Sequence, residues 1–415
     1  MNIKEIVKKD FLASGKNFVI LSEAKDLSGR RFFALRAQND RGALSCYIPC
    51  LMGFRCGIVG LPNVGKSTIF NALAKAKAEA SNYPFCTIDP NKGIVPVPDP
   101  RLTALSELYH PQKTTPTAVE FYDIAGLVKG ASEGEGLGNQ FLGHIKEVEA
   151  ILHVVRCFDD PNIVHVSGRV DPVRDIEVID TELCLKDLET MAARFEKTEK
   201  LARSGDKESR ERMPVYEKIK KSLEDGTPLR RLGLTEEEKK AIRDLAFLTI
   251  KPVLYCANVA ESELPEGGPQ VNAVRERAVK EGAGCVAISG KVESELIDLS
   301  ESEQKEFLRE LGLKEPGLHV LIRAGYKLLD LITYFTAGEK EVRAWTVRRG
   351  TKAPQAAGVI HSDFERGFIR AEVMNYDDLI RLGSAAAVKE KGLLRIEGKD
   401  YVVADGDIML FRFNV

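Results

Sequence analysis

The 415-residue chain lacks any run approaching the ~18 apolar residues that a membrane-crossing helix needs, so no span is expected. Its eight cysteines contain no C-x-x-C pair, which removes the usual zinc-knuckle spacing. Cys157 and Cys256 instead sit inside apolar, strand-like runs, as free buried thiols do. Scattered free thiols fit a reducing cytoplasm, the expected location. An excess of one charge is also missing. Sixty basic residues face 62 acidic ones, a net of −2, so no global electrostatic pull toward nucleic acid is expected. There is no internal repeat and no low-complexity tract. What remains is 44% hydrophobic and 29% charged, the composition of a soluble globular protein of two to four domains at ~100–200 residues each.

Residues 1–51 differ from the rest. They carry nine basic and five acidic residues, +4, which leaves −6 for the remainder. They hold too many acids for a typical transit peptide and no long apolar core for a signal peptide. The expectation is a disordered extension, or an upstream stretch outside the native protein. From Met52 short apolar runs alternate with helical patterns. Phe54–Val59, Val119–Tyr122, Ile151–Cys157, Pro252–Ala257 and Cys285–Ile288 read as buried strands, a series that predicts a parallel, doubly wound α/β sheet. The series is interrupted over 171–249 by a charge-dense insertion. Ile179, Leu183, Leu188, Met191 and Phe195 recur there at helical spacing, and breaks fall at Ser204-Gly205 and Gly226-Thr-Pro228. Thr235-Glu-Glu-Glu238 is a capping box opening a third helix. An antiparallel helical hairpin is expected, either a solvated charged arm or one that docks a partner. Residues 330–413 turn to strand periodicity. Val342–Val347 and Gly367–Val373 alternate, and Tyr401–Val403, Ala404-Asp405-Gly406 and Ile408–Phe413 read as a hairpin closed by an Asp-Gly turn. The organisation expected is therefore an extension (1–51), a nucleotide-binding domain (52–170 and 250–308), a helical insertion (171–249) and a small β domain (330–413).

The chemistry begins at Gly60-Leu-Pro-Asn-Val-Gly65-Lys66-Ser67, which matches the phosphate-binding loop G-x-x-x-x-G-K-[ST] and lies between a strand and a helix. Glycines let backbone N–H groups turn inward around phosphate oxygens. Lys66 adds charge at the β/γ-phosphates, Ser67 offers a hydroxyl to Mg²⁺, and the helix N-terminus favours the anion. Asp123-Ile-Ala-Gly126 follows a strand, placing Asp123 for the Mg²⁺ shell and the Gly126 N–H for the γ-phosphate. Thr87 lies between the two motifs as the candidate second Mg²⁺ hydroxyl, in a loop ordered by the γ-phosphate. Glycines 130, 134, 136 and 138 make the stretch after Asp123 a mobile switch segment. Leu127 stands where a Ras-like switch carries a water-orienting glutamine, so hydrolysis is slow or another group assists. His165 is a candidate for that role, whereas His153 lies within an apolar strand run.

The base-reading loop discriminates most. Guanine readers use Asn-Lys-x-Asp, whose aspartate accepts from guanine N1–H and the 2-amino group. This chain has Asn258-Val-Ala-Glu261, with the lysine lost and the acid one methylene longer. Adenine presents an acceptor at N1, which a carboxylate aimed there would repel, so the relaxed motif favours adenine. A hydrogen-bond mismatch at a buried base edge decides specificity by several powers of ten. The alternative is that Glu261 still reads guanine through a shifted loop. Ser289-Gly290-Lys291 follows the last strand and closes the base pocket through backbone groups.

Taken together, GLPNVGKST at 60–68, YPFCTIDPN at 83–91, DIAGLVKGASEGEGLGNQF at 123–141, NVAE at 258–261 and the block 335–371 resemble the Obg-like ATPase family of YchF type, from Met52 to Val415. The resemblance implies a translation-factor-class P-loop NTPase with a coiled-coil arm and a C-terminal ubiquitin-like β-grasp domain of the TGS type. It implies an Mg²⁺-dependent ATPase and a place in ATP binding for Gly60, Asn63, Val64, Gly65, Lys66, Ser67, Thr68, Gly126, Asn258, Val259, Ser289 and Gly290. Metal ligation is implied for Ser67, Thr87 and Asp123, and a part in hydrolysis for Lys66 and His165. Asn63 accompanies potassium use in related proteins, which raises a K⁺ requirement as a hypothesis. Family members associate with ribosomes. Arg343, Arg348, Arg349, Lys352, Arg366 and Arg370 could contact rRNA phosphates if they share a face, although 331–413 carries only 13 basic against 12 acidic residues. Gly290 departs from the family class, where alanine is usual. Two other functions stay open: a GTPase regulator on the same fold, and a binding scaffold locked by nucleotide.

Overall fold

The computed structural model describes residues 19–25, 31–37, 54–75, 91–124, 145–165 and 168–414. The first two segments are strands β1 (Val19–Lys25) and β2 (Arg31–Ala37), paired antiparallel from Val19↔Ala37 to Lys25↔Arg31. The rest of residues 1–51, expected to be a disordered extension or an upstream stretch outside the native protein, lies outside the described residues.

The chain runs through β3 (Phe54–Val59), helix α1 (Lys66–Lys75), β4 (Lys92–Pro96), α2 (Pro100–Tyr109), β5 (Lys113–Thr115), β6 (Ala118–Asp123) and β7 (Ala150–Arg156), all but β5 of these strands forming the nucleotide-type sheet. The chain then leaves the sheet through α3 (Pro172–Arg203), α4 (Lys207–Glu224) and α5 (Glu236–Ala241). It returns through β8 (Val253–Asn258), α6 (Pro269–Glu281), β9 (Gly284–Ile288), α7 (Gly290–Leu296), α8 (Glu301–Glu310) and α9 (Gly317–Leu328). Strand order is β4-β6-β3-β7-β8-β9. All neighbours are parallel except β4, which pairs antiparallel with β6 from Lys92↔Tyr122 to Pro96↔Ala118. The apolar runs β7 and β8 are buried at every residue, as central parallel strands covered on both faces must be. The edge strand β4 carries little strand signal in sequence, because its five residues, Lys-Gly-Ile-Val-Pro, include a glycine and a proline.

The interruption is a helical hairpin. Asp171 caps α3 through the Arg174 N–H, Pro172 occupies its first turn, and 32 residues carry it about 48 Å. Asp206 caps the returning α4. Cys184 and Met191 of α3 pack against Tyr216, Ile219 and Leu223 of α4 in their own apolar cluster. At the foot of the arm, Arg230 bonds Asp180 of α3 (2.6 Å) and Glu281 of α6 (3.1 Å), tying the arm to the sheet. None of the helices among the described residues is long and apolar enough to cross a membrane.

The C-terminal sheet contains β10 (Leu331–Ala337), β11 (Glu341–Arg348), β12 (Phe368–Asn375), β13 (Arg395–Glu397) and β14 (Asp407–Phe413), with α10 (Ala353–Ile360), α11 (Ser362–Arg366), α12 (Tyr376–Leu382) and α13 (Ala385–Glu390) between them. Its order is β13-β12-β14-β10-β11-β5. One expectation is corrected here. Tyr401–Val403 is not a hairpin strand; Val402 makes one bridge to Lys352, and β14 pairs with β12 and β10 instead. The Ala404-Asp405-Gly406 turn forms as expected, the Asp407 N–H donating to the Ala404 carbonyl at 3.2 Å, and the Asp405 side chain also accepts from the Thr333 N–H at 2.9 Å. The sheet also recruits upstream chain: β5 pairs with β11, and Leu102 and Leu105 of α2 bury against Phe335, Val342 and Ile408. A three-residue strand has no legible periodicity, so this crossing of the 52–170 boundary was invisible.

Candidate functional site

Strands β3, β6, β7 and β8 run parallel, so their C-terminal ends share one edge of the sheet, where open α/β sheets place ligands. The Gly60–Gly65 loop opens there and feeds α1. Contact requires both glycines. A Cβ on Gly60 would fall 2.4 Å from the Val154 carbonyl oxygen, and one on Gly65 would fall 2.2 Å from Asn258 Nδ2, with φ at +97°. Asn63 takes the left-handed conformation (φ 61°), which asparagine tolerates, and donates Nδ2 to the Val164 carbonyl at 3.1 Å. Lys66 Nζ donates to the Leu61 carbonyl at 2.8 Å, so the lysine lies folded across its own loop. Burial lowers its pKa, and the negative charge of Asp123 opposes that shift. Val64 is buried, whereas Ser67 and Thr68 are exposed in the first turn of α1, where the helix dipole favours an anion.

Asp123 ends β6, its N–H donating to the Asn91 carbonyl at 3.0 Å. Burial raises its carboxyl pKa and the Lys66 charge lowers it. Its Oδ1 is buried without a hydrogen-bond partner among the described residues. An orphaned carboxylate oxygen is costly unless something uses it, and with the exposed Ser67 hydroxyl it makes a hard-oxygen donor set suited to Mg²⁺. No cluster of three His, Cys, Asp or Glu side chains is placed to hold a metal among the described residues. Thr87, Gly126, Leu127 and the glycines at 130, 134, 136 and 138 lie outside the described residues.

Asn258 ends β8 with its carboxamide committed at both ends. Nδ2 donates to the Val64 carbonyl and Oδ1 accepts from the Gly290 N–H, each at 2.9 Å. The phosphate loop and the base-pocket loops are thus pinned together. The Val259 side chain is buried and its N–H donates to the Ile288 carbonyl at 2.9 Å. Ser289 is buried at the start of α7. Glu261 opens a short 3₁₀ turn, and Lys291 Nζ lies 3.3 Å from its Oε2.

His165 is buried, its Nε2 2.9 Å from Asp175 Oδ2 in the first turn of α3. Burial raises the Asp175 carboxyl and the His165 bond lowers it. The imidazole therefore packs at the foot of the arm. Two participants escaped sequence reading. Asp175 looks like any acid favoured near a helix N-terminus. Arg156 left one signal, a cation closing a seven-residue strand that is buried throughout.

The six C-terminal cations do not form one basic face. Arg343 and Arg348 lie five residues apart on β11 and so point to opposite sides; Arg343 stacks on Trp345 and Arg348 on Phe54. Arg349, Lys352, Arg366 and Arg370 pair with Asp330, Asp400, Asp363 and Glu372.

Residues 55–193 match the family model of a 50S ribosome-binding GTPase, and residues 331–414 match the YchF C-terminal model, described as a protein of unknown function. The ribosome-binding ATPase YchF of Escherichia coli O157:H7 is 58% identical over 364 residues, 88% of this chain and 100% of that protein. The chain belongs to the YchF family. Its Bacillus subtilis (strain 168) relative of the same name is 56% identical over 366 residues, again 88% and 100% of the two chains. The structure of the Schizosaccharomyces pombe YchF GTPase superposes with a TM-score of 0.79 at 41% identity, covering 87% of this chain and 98% of that one. The YchF relatives thus carry different nucleotide names, ATPase in the bacteria and GTPase in the yeast.

Proposed function

We propose that this YchF-family chain is an Mg²⁺-dependent ATPase switch of the translation-factor class, acting in the cytoplasm on the ribosome. The observation that carries the nucleotide assignment is the Asn258–Glu261 loop. The acid that would read guanine is one methylene too long, and Lys291 engages it. The lysine of the guanine motif is replaced by the buried Val259. A base pocket without a committed acceptor for guanine N1–H and the 2-amino group favours adenine. Ribosome association is proposed from the names of the bacterial relatives. The pairing of the C-terminal cations lends no support to rRNA contact through them.

In this reading residues 52–170 and 250–308 hold the nucleotide, 171–249 form the arm and 330–413 the TGS unit. Gly60, Asn63, Val64, Gly65, Lys66, Ser67 and Thr68 cradle the phosphates, Gly126 meets the γ-phosphate, and Asn258, Val259, Ser289 and Gly290 border adenine. Ser67, Thr87 and Asp123 would hold Mg²⁺, which when bound neutralises phosphate charge. Lys66 Nζ exchanges the Leu61 carbonyl for a phosphate oxygen. Water attacks the γ-phosphate in line. His165 assists placement of that water after leaving Asp175. K⁺ beside Asn63 is a further proposal, checked by replacing K⁺ with Na⁺; full turnover in Na⁺ removes it.

The test is a paired titration of ATP and GTP with Mg²⁺ and K⁺, with Lys66→Ala as control. ATP preference of at least about tenfold, lost in the control, is expected. GTP preference would reclassify the protein as a GTPase, as the family model and the yeast relative are named. Equal partner binding in ATP and ADP states, retained by Lys66→Ala, would favour the scaffold.

A further inference from the structure

We infer that Arg156 is a positioning residue for hydrolysis, shaping the loop that carries His165 against the phosphate loop. This rests on the ATPase reading above. Arg156 closes β7 and is 2% exposed. Among the described residues it has no carboxylate at ion-pair distance. Its guanidinium gathers three backbone carbonyls of the following loop. Nε donates to Phe158 at 3.0 Å, Nη1 to Ile163 at 3.0 Å and Nη2 to Asp160 at 3.4 Å. The guanidinium carbon also sits 4.6 Å from the centre of the Phe158 ring.

Burying a cation without a counter-charge is unfavourable, and an apolar side chain would fill a strand end at less cost. What the arginine adds is a planar fork whose donors point in fixed directions, which no other side chain supplies. That fork sets the curvature of residues 158–163. The next two residues are the ones that reach the site. The Val164 carbonyl accepts from Asn63 of the phosphate loop, and His165 meets Asp175. On the other side Arg156 lies in register with Asn258, and the Cys157 N–H donates to the Asn258 carbonyl at 2.8 Å. One guanidinium thus braces a loop whose ends touch both the phosphate loop and the base loop.

The experiment uses the full chain and compares Arg156→Lys and Arg156→Gln with the unaltered protein and Lys66→Ala. Thermal unfolding, affinity for an ATP analogue and single-turnover ATP hydrolysis are measured for each. A lysine keeps the charge but one nitrogen cannot reproduce the three directions. Both variants should remain folded and bind nucleotide within about threefold of the unaltered protein, while hydrolysis falls at least about tenfold. Arg156→Lys should lose less than Arg156→Gln. Unchanged hydrolysis, a fall in hydrolysis matched by the fall in affinity, or unfolding of both variants would each overturn the inference and leave Arg156 a brace for the fold. Failure of the underlying reading looks different: the unaltered protein itself would not turn over ATP, and both claims would fall.

Discussion

Asn258 Nδ2 lies 2.9 Å from the Val64 carbonyl oxygen, joining positions 194 residues apart, while the same carboxamide accepts from Gly290. Both bonds are buried. Asn258→Ala leaves a carbonyl and an N–H without partners and should cost about 2–6 kcal/mol, each orphaned group contributing roughly 1–3. Asn258→Asp keeps the acceptor for Gly290 but sets an oxygen against the Val64 carbonyl, and should fall between. Urea unfolding with an unchanged m-value checks this. A loss below about 1 kcal/mol for Asn258→Ala would mean the clamp is dispensable.

Glycine has different standing at two positions of this site. At Gly290 a Cβ would meet Asn258, Ile69 and Thr68 at 3.5 Å, ordinary contact in a helical first turn. Gly290→Ala should therefore be neutral or stabilise by about 0.4–1 kcal/mol, by restricting the unfolded chain. At Gly65 the added Cβ meets the clamped Asn258 amide at 2.2 Å with an unfavourable φ. Gly65→Ala should lower nucleotide affinity by more than about tenfold. Equal behaviour of the two variants would contradict this geometry.

His153 predicts a specific acid sensitivity. Burial first, then the nearby Arg230 charge, lowers its pKa from 6.5 to about 3. The unfolded chain binds a proton near pH 6.5 that the folded chain refuses until about pH 3. The unfolded state therefore holds more protons across that window, and stability falls as pH falls through it. The full window corresponds to about 5 kcal/mol. His153→Leu should flatten the dependence of unfolding free energy between about pH 7 and pH 4, whatever its effect at neutrality. A slope equal to that of the unaltered protein would assign the acid sensitivity elsewhere.

The junction between the two sheets should depend more on apolar burial than on charge. Leu105 of α2 is fully buried against the C-terminal sheet, and Leu105→Ala should cost about 2–5 kcal/mol. Arg101 bonds both Asp99 and Asp405 but is partly exposed, and Arg101→Ala should cost about 1–2 kcal/mol. Denaturation of the two variants side by side decides the order. A larger loss for Arg101→Ala would make the ion pairs the main tie.

Local chemistry made much of this legible in advance. The Phe54–Val59 strand, the glycine-rich loop and the helix at Lys66 announce themselves because strand, turn and cap signals lie within about a dozen residues. The arm was legible because α3 and α4 repeat apolar positions at helical spacing and end at Gly205 and Gly226. The base-reading change at Asn258–Glu261 is likewise a matter of residue identity alone.

Other features depended on partners distant in sequence. Ile408–Phe413 is as much a strand by pattern as by structure, yet its neighbours are β12 and β10, because Asp405 turns to Thr333 and Arg101. The three residues of β5 become strand only because β11 offers an open edge. His165 reads as a free histidine until α3 brings Asp175 to it, and Arg156 reads as a stray charge until its loop folds back around it. By itself the sequence determined the central strands, the helical arm, the phosphate loop and the altered base motif, since these follow from side-chain type and short-range spacing. The tertiary structure alone decided which strand edges meet and which buried charges find acceptors, since both are settled by groups that only folding brings within hydrogen-bonding reach.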